Sequence, residues 1–250
     1  MKKEKVVMIT GASKGLGRAL AHAFAESGAQ LALCARREGP LFQVKKELES
    51  IAADVLAVPA DVSDPDDVER FVSLAERRFG RVDVLINNAS ILGPSPMPYL
   101  ADYPIEDFRH VLITNVFNPF LMTKRVLSGM LQRNEGCIIN VTSSAGHVGY
   151  AGWGAYAVSK FALEGLTYTW AEELAESGVR LHLVDPGEMD TEMHALAVPD
   201  CDYELADPRD VAEVFLYLAS DAAKPLHGRL IEAERFWKER SEDGAAVDAV

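Results

Sequence analysis

The chain has 250 residues, 48% hydrophobic and 25% charged, with 18 glycines and 12 prolines. That composition is ordinary for a globular protein, and the length suits one large α/β domain or two small ones. A formal net charge of −13 argues against nucleic acid or an anionic membrane as the main partner.

Cys34, Cys137 and Cys201 are widely spaced and form no CxxC pair, which fits a reducing cytosol. The first two read as small apolar residues in buried strands. The opening MKKEKVVMITG has a basic flank, but its apolar run is short and leads straight into a glycine loop. No stretch approaches the roughly 18 apolar residues of a spanning helix, so the expectation is a soluble, cytoplasmic protein.

Val6–Thr10 is a short apolar run bounded by glycine, predicted as a fully buried strand. TGASKGLG follows, supplying Gly11, Ser13, Lys14, Gly15, Leu16 and Gly17, and residues 18–27 read as a helix. Strand, glycine turn and helix together make a candidate phosphate cradle, because bare backbone can approach a pyrophosphate at a helix N-terminus. The next strand, Gln30–Ala35, ends in Arg36 and Arg37 where a dinucleotide fold that prefers NAD(H) carries an acid for the ribose 2′-OH. Basic groups there, with Lys14 close by, suit a 2′-phosphate and favour NADP(H) over NAD(H).

Residues 41–51 read as a helix and Val55–Pro59 as a strand. Asp61 and Val62 follow, either as a clamp for an adenine ring or as turn residues. Asp64 is the expected N-cap of a helix reaching Phe79, with Pro65 at its first position. Residues 84–86 form a fourth strand ending in Asn87, Asn88, Ala89 and Ser90, whose asparagines either bridge neighbouring strands or face the ligand crevice. The proline-rich ILGPSPMPYLADYP is a loop, either a substrate wall or a surface crossover.

Residues 108–130 are apolar at helical spacing and contain Asn115 and Asn118, amides that need partners inside a buried helix. Residues 138–141 form the fifth strand and open into Thr142, Ser143 and Ser144. The stretch SSAGHVGYAGWGAYAVSK then leads into a helix over about 155–176. Tyr156 and Lys160, one turn apart, share a face of that helix. The cation favours the phenolate, so the tyrosine's pKa is expected to fall toward neutral.

Residues 180–184 give a sixth strand ending in DPGEMDT, with Pro186, Gly187, Met189 and Thr191. An irregular piece runs to Asp207, a helix from Pro208 to about 220, and a last strand at Arg229–Glu232. The polar tail from about 241 is expected to fray. Strands and helices alternate throughout, with no linker or repeat, which implies one domain over 1–250 with a parallel sheet covered on both faces. The histidines show no metal-ligand spacing, so no metal site is predicted.

Taken in order, TGASKGLG, the Asp61–Val62 pair, NNAS, Asn115, Ser143, YAVSK and DPGEMDT resemble the short-chain dehydrogenase/reductase family over nearly the whole chain. The resemblance implies a doubly wound, Rossmann-type sheet of seven strands and a homodimer or homotetramer. It implies a catalytic set of Asn115, Ser143, Tyr156 and Lys160. Tyr156 would give the proton to a carbonyl oxygen held by Ser143. Lys160 would bind the nicotinamide ribose and lower the tyrosine's pKa, and Asn115 would position a water in a proton relay. The cofactor would contact the glycine loop, Arg36, Arg37, Asp61, Val62, Asn88, Ala89, Tyr156, Lys160 and the segment from Pro186 to Thr191.

Ser90 departs from the family's NNAG; if that position needs positive φ, serine is strained there. Met189 stands where a branched aliphatic is more usual. Glu188 and Asp190 either disfavour anionic substrates near the mouth or cap the following turn. Candidate substrate contacts are Ser143, Ala145, Tyr150, Trp153 and Met193, with His147 and His194 nearby. The expected activity is NADPH-dependent reduction of a ketone or aldehyde. A 3-oxoacyl-carrier-protein reductase is an alternative, weakened by the acidic balance, because acyl carrier proteins are themselves acidic. A non-catalytic NADP(H)-binding regulator or assembly protein is another, and a dehalogenase-like lyase a third. The intact Tyr156, Lys160 and Ser143 argue against the former, the glycine loop and Lys160 against the latter.

Overall fold

Seven short runs become seven parallel strands; the central ones are buried on both faces and read as near-continuous Val, Ile, Leu and Ala, while the edge strands are only partly covered. The computed structural model describes residues 4–51 and 53–236. The first half runs β1 (Val6–Thr10), α1 (Gly15–Glu26), β2 (Gln30–Ala35), α2 (Glu38–Glu49), β3 (Val55–Pro59), α3 (Pro65–Phe79) and β4 (Val84–Asn87). The second runs α4 (Ile105–Leu112), α5 (Asn118–Arg133), β5 (Gly136–Val141), α6 (Gly154–Glu173), β6 (Val179–Asp185), α7 (Glu192–Ala197), α8 (Pro208–Ala219) and β7 (Arg229–Glu232). The tail expected to fray from about 241 lies outside the described residues.

The sheet order is β3-β2-β1-β4-β5-β6-β7, every neighbouring pair parallel. The chain therefore winds outward from β1 in one direction, returns to β4, and winds outward in the other. The reversal lies between β1 and β4, and the crevice beyond the carboxyl ends of those strands is where such sheets bind ligands. Strand alternation feeds two cores. In β1, Val7 and Ile9 enter the layer under α1, α2 and α8, while Met8 enters the layer under α3, α5 and α6. Phe215 of α8 and Phe71 of α3 anchor these layers, each wholly buried. Truncating either to Ala costs about 3–5 kcal/mol.

The helix expected over 108–130 is not continuous. A π-helical turn, Ile113–Phe117, separates α4 from α5. Pro119 explains the break: it has no N–H to offer the carbonyl of Asn115 four residues back, so the α-helical ladder cannot run through. The segment expected to be irregular before Asp207 contains α7. Thr191 caps it, its Oγ1 accepting from the His194 N–H at 3.2 Å, and the helix is too short to show periodicity in the sequence. At α3 the expected cap is present, Asp64 accepting from the Asp66 N–H at 2.9 Å, with Pro65 opening the helix.

Candidate active site

The site grows from the carboxyl ends of β1, β4, β5 and β6. After β1 the glycine loop turns into α1. A Cβ on Gly17 would lie 2.3 Å from the Gly11 carbonyl oxygen, a contact between two pieces of backbone that only glycine permits. Gly15 has φ +52°. Lys14, the N-cap residue of α1, makes no side-chain cap, and the first turn holds no acid. The first N–H groups of α1 and its positive dipole end are therefore available to an anion.

The asparagines after β4 brace this loop. Asn88 donates from Nδ2 to the carbonyls of Thr10 (2.8 Å) and Gly11 (3.2 Å), and Thr10 Oγ1 accepts from the Asn88 and Ala89 N–H groups. Asn87 reaches across to β5, donating to Asn140 Oδ1 at 2.8 Å. Of the two sequence readings, bridging is the one these side chains adopt. Ser90 carries no strain, since Asn134 is the one non-glycine with positive φ among the described residues; its buried hydroxyl has no protein partner there.

At the ribose end Arg36 and Arg37 are exposed. Val62 is buried, and Asp61 folds back on its own turn, accepting from the Ser63 N–H (3.0 Å) and hydroxyl (2.6 Å). Burial would raise the Asp61 carboxyl, but the Ser63 bonds and the Arg36 charge outweigh it and hold it below the usual carboxylate range. No acid stands where a ribose 2′-OH would need one, and three cations lie near. A nicotinamide dinucleotide fits this set of glycines, free helix N–H groups and bases.

Tyr156 and Lys160 rise from α6 into the crevice, 7% and 2% exposed. Ser143, two residues past β5, caps a short 3-10 turn, Ser144–Gly146, its Oγ accepting from the Ala145 N–H at 3.3 Å. The same hydroxyl hydrogen-bonds Tyr156. The expected fall in the tyrosine's pKa is corrected here. Burial pushes the Tyr156 hydroxyl up to about 12, the Ser143 bond opposing and the Asp185 carboxylate adding to the rise. Lys160 does not offset this. Its Nζ donates to the Val141 carbonyl at 2.8 Å and sits 5.4 Å from the Tyr156 ring centre. Burial also draws the ammonium down to about 8, against the raising influence of Asp185 and Glu164. Tyr156 is therefore a protonated hydroxyl at neutral pH, a donor rather than a phenolate.

Asn115 lies in the π turn. Its Oδ1 accepts from the Ile91 N–H, and its Nδ2 donates to the Ile91 carbonyl and to Ser159 Oγ, each at 2.9 Å. Ser159 in turn donates to the Tyr156 carbonyl at 2.6 Å. The side chain thus ties the start of the proline-rich loop to the helix that carries Tyr156.

Beyond β6, Asp185 accepts from the Gly187 N–H at 3.0 Å, which turns Pro186 and Gly187 over the strand end. Met189 packs on the α1 side of the core and pairs with Ala206. Thr191 lies against the glycine loop, 3.4 Å from where a Gly15 Cβ would stand. Glu188 and Asp190 do not cap α7. The Glu188 carboxylate faces His194 Nε2 at 3.5 Å, and the Asp190 N–H donates to the Ala206 carbonyl.

Ala145, Tyr156, Trp153 and Met193 pack in one small cluster with Leu92, Met97, Ala157 and Ala197. Tyr150 stands outside it, 44% exposed, its ring tilted 53° to that of Trp153 at 6.1 Å. His147 turns away, its Nδ1 3.2 Å from Glu164 Oε1. Sequence reasoning missed Glu164, a buried carboxylate that also accepts from Thr142 Oγ1 at 2.7 Å. Its signal was its place four residues past Lys160, on the same helical face.

Ser143, Tyr156 and Lys160 thus stand together at a Rossmann-type crevice, with the glycine loop and its cations at the far end. The profile of the short chain dehydrogenase family matches residues 5–202. A ketoacyl reductase of the granaticin polyketide synthase of Streptomyces violaceoruber is 40% identical over 190 residues, 75% of this chain and 69% of that protein. The 3-oxoacyl-[acyl-carrier-protein] reductase FabG of Thermotoga maritima is 33% identical over 91% of this chain and 95% of its own. Among solved structures, a variant of the actinorhodin polyketide ketoreductase with NADPH superposes at TM-score 0.85 with 29% identity, covering 92% of this chain and 95% of that one. The 3-ketoacyl-(acyl-carrier-protein) reductase of Brucella melitensis with NADH does so at TM-score 0.85 with 28% identity, covering 91% and 96%. The chain belongs to the short-chain dehydrogenase/reductase family. It is an oxidoreductase acting on CH–OH or carbonyl groups, and no helix among its described residues is long and apolar enough to cross a membrane.

Proposed function

We propose that the protein reduces a ketone or aldehyde with NADPH. The observation that carries this reading is the buried Tyr156 side chain set beside Ser143 and Lys160, facing a crevice whose ribose end offers bases and no acid; burial keeps its hydroxyl protonated at neutral pH. Bound NADPH would supply the hydride. As negative charge grows on the substrate oxygen, Ser143 and Tyr156 stabilise it from preplaced donors, and Tyr156 gives up its proton. Lys160 stands beside Tyr156, ready to hold the nicotinamide ribose and to stabilise the phenolate once the proton has gone. Asn115 acts as the brace of this frame. A water relay through it would use its backbone carbonyl, which Pro119 leaves without an α-helical donor.

The relatives favour a second reading, a 3-oxoacyl group on a carrier protein, because three of them bear ketoacyl or 3-oxoacyl reductase names, two with the carrier protein in the name. A net charge of −13 opposes it, since carrier proteins are acidic. The test compares NADPH and NADH oxidation on ketones, aldehydes, a 3-oxoacyl thioester of a short thiol and the same acyl group on carrier protein. The reading expects NADPH turnover with free carbonyl substrates. Equal rates with NADH would overturn the phosphate assignment, and activity confined to the carrier-bound substrate would move the function to the second reading. Tight NADPH binding without turnover on any substrate would favour the non-catalytic alternative. We further propose a homodimer or homotetramer built on α5 and α6, whose outer faces expose Phe117, Phe161 and Tyr168 at the helices and the turn before them.

A further inference from the structure

Glu192 has no part in the chemistry proposed above. It stands in the first turn of α7, and its Oε2 lies 2.6 Å from Lys14 Nζ in the glycine loop. The two side chains are 52% and 61% exposed, so core packing does not impose their contact. Among the described residues, neither Arg36 nor Arg37 forms an ion pair, so of the three cations at this end of the crevice Lys14 alone has a carboxylate partner. Arg37 adds its charge to the hold on Glu192, whose carboxyl lies below its ordinary range through the Lys14 hydrogen bond first and both cations' charges after it. A carboxylate gripped by Lys14 and within the field of Arg37 competes for the cations a phosphate monoester would need.

We propose that Glu192 is an internal occupant of the 2′-phosphate subsite, which must release Lys14 before that lysine can bind NADP(H). Glu192 thereby narrows the preference for NADP(H) over NAD(H) and ties cofactor choice to the position of α7. The inference rests on reading Lys14, Arg36 and Arg37 as the phosphate-binding end of the crevice. A dianionic phosphate outcompetes a single carboxylate for these cations, and an exposed ion pair is weak, so the competition lowers affinity without blocking binding. The opposite role, a clasp closing over bound cofactor, predicts the reverse effect of removing the charge.

The test is calorimetric titration of the full chain with 2′,5′-ADP and with AMP, which differ by the 2′-phosphate alone. Wild type, Glu192→Gln, Lys14→Met and Lys14→Met/Glu192→Gln are compared at low ionic strength. The proposal expects Glu192→Gln to bind 2′,5′-ADP about two- to fivefold more tightly, with AMP unchanged and the gain abolished in the Lys14→Met background. Unchanged or weaker 2′,5′-ADP binding overturns it, as does an equal gain for both probes. If wild type prefers 2′,5′-ADP and Glu192→Gln changes nothing, only this inference fails. If wild type shows no preference but Glu192→Gln acquires one, the inference stands and the NADPH reading of the native protein fails. No preference in either protein overturns both.

Discussion

Replacing Lys160 with methionine should remove activity and, near neutral pH, stabilise the fold. The ammonium is 2% exposed, and burial draws it from 10.5 to about 8. A shift of that size corresponds to about 3 kcal/mol against the charged form. The sign follows from proton counts. Between the folded value of about 8 and the unfolded 10.5, the unfolded chain binds more protons, so stability rises with pH across that window. Below about 8 the whole penalty is present; above 10.5 it is gone. Methionine has similar reach and no charge to bury, but it leaves the Val141 carbonyl without the 2.8 Å donor it now has, at about 1–2 kcal/mol. The net gain is about 1–2 kcal/mol near pH 7, or about 2–6 °C in Tm for a chain of this size.

Urea unfolding of Lys160→Met and wild type, at about pH 7 and about pH 10, provides the assay. At the higher pH wild type has shed most of its penalty, and the variant should become the less stable of the two. Tyr156 contributes the opposite slope. Its folded value is raised to about 12 from 10.0, so its stabilisation is complete below 10.0 and lost as pH rises toward 12 in both proteins, and it cancels in the comparison. A variant destabilised by the same amount at both pH values would refute the account of Lys160 as a strained, buried cation.

Other predictions follow from single contacts. Gly17→Ala should lower stability by about 1–3 kcal/mol and weaken dinucleotide binding, because its Cβ meets the Gly11 carbonyl at 2.3 Å; calorimetry and thermal unfolding measure the two effects. Asn115→Leu should cost about 2–4 kcal/mol by orphaning the Ile91 N–H and carbonyl and lower kcat with them, whereas Asn115→Asp should keep the Ile91 N–H bond and lose less. Arg36→Ala should raise the Kd for NADPH about tenfold and leave that for NADH unchanged, read by fluorescence titration. Under native conditions Cys201 should react with a thiol reagent well ahead of Cys34 and Cys137, whose thiols burial pushes up to about 12 and about 11; denaturation should expose all three.

The sheet was legible because its central strands are buried on both faces and punctuated by glycine, proline and asparagine, so Val6–Thr10 and Gln30–Ala35 match the structure end to end, as does the less covered edge strand Arg229–Glu232. The caps at Asp64 and the turn at TGASKGLG were legible from local chemistry, each needing only its own few residues. What stayed hidden depends on distant partners. The break before Asn118 was signalled by Pro119, but apolar periodicity over 108–130 outweighed it. The direction of the Tyr156 shift could not be read from Lys160 alone. Spacing brings the two side chains to one face, but the depth of burial and the nearby Asp185 come from β5 and β6. Likewise, the sequence shows a lysine in the glycine loop and a glutamate 178 positions later, and only the fold brings them together.

The central claim is that the Tyr156 hydroxyl delivers the proton in carbonyl reduction. The direct measurement is turnover and NADPH binding of Tyr156→Phe, which keeps the ring packed against Trp153 and removes the hydroxyl. The account predicts that carbonyl reduction is abolished while the Kd for NADPH stays within about twofold of wild type. Retained turnover in that variant would contradict it.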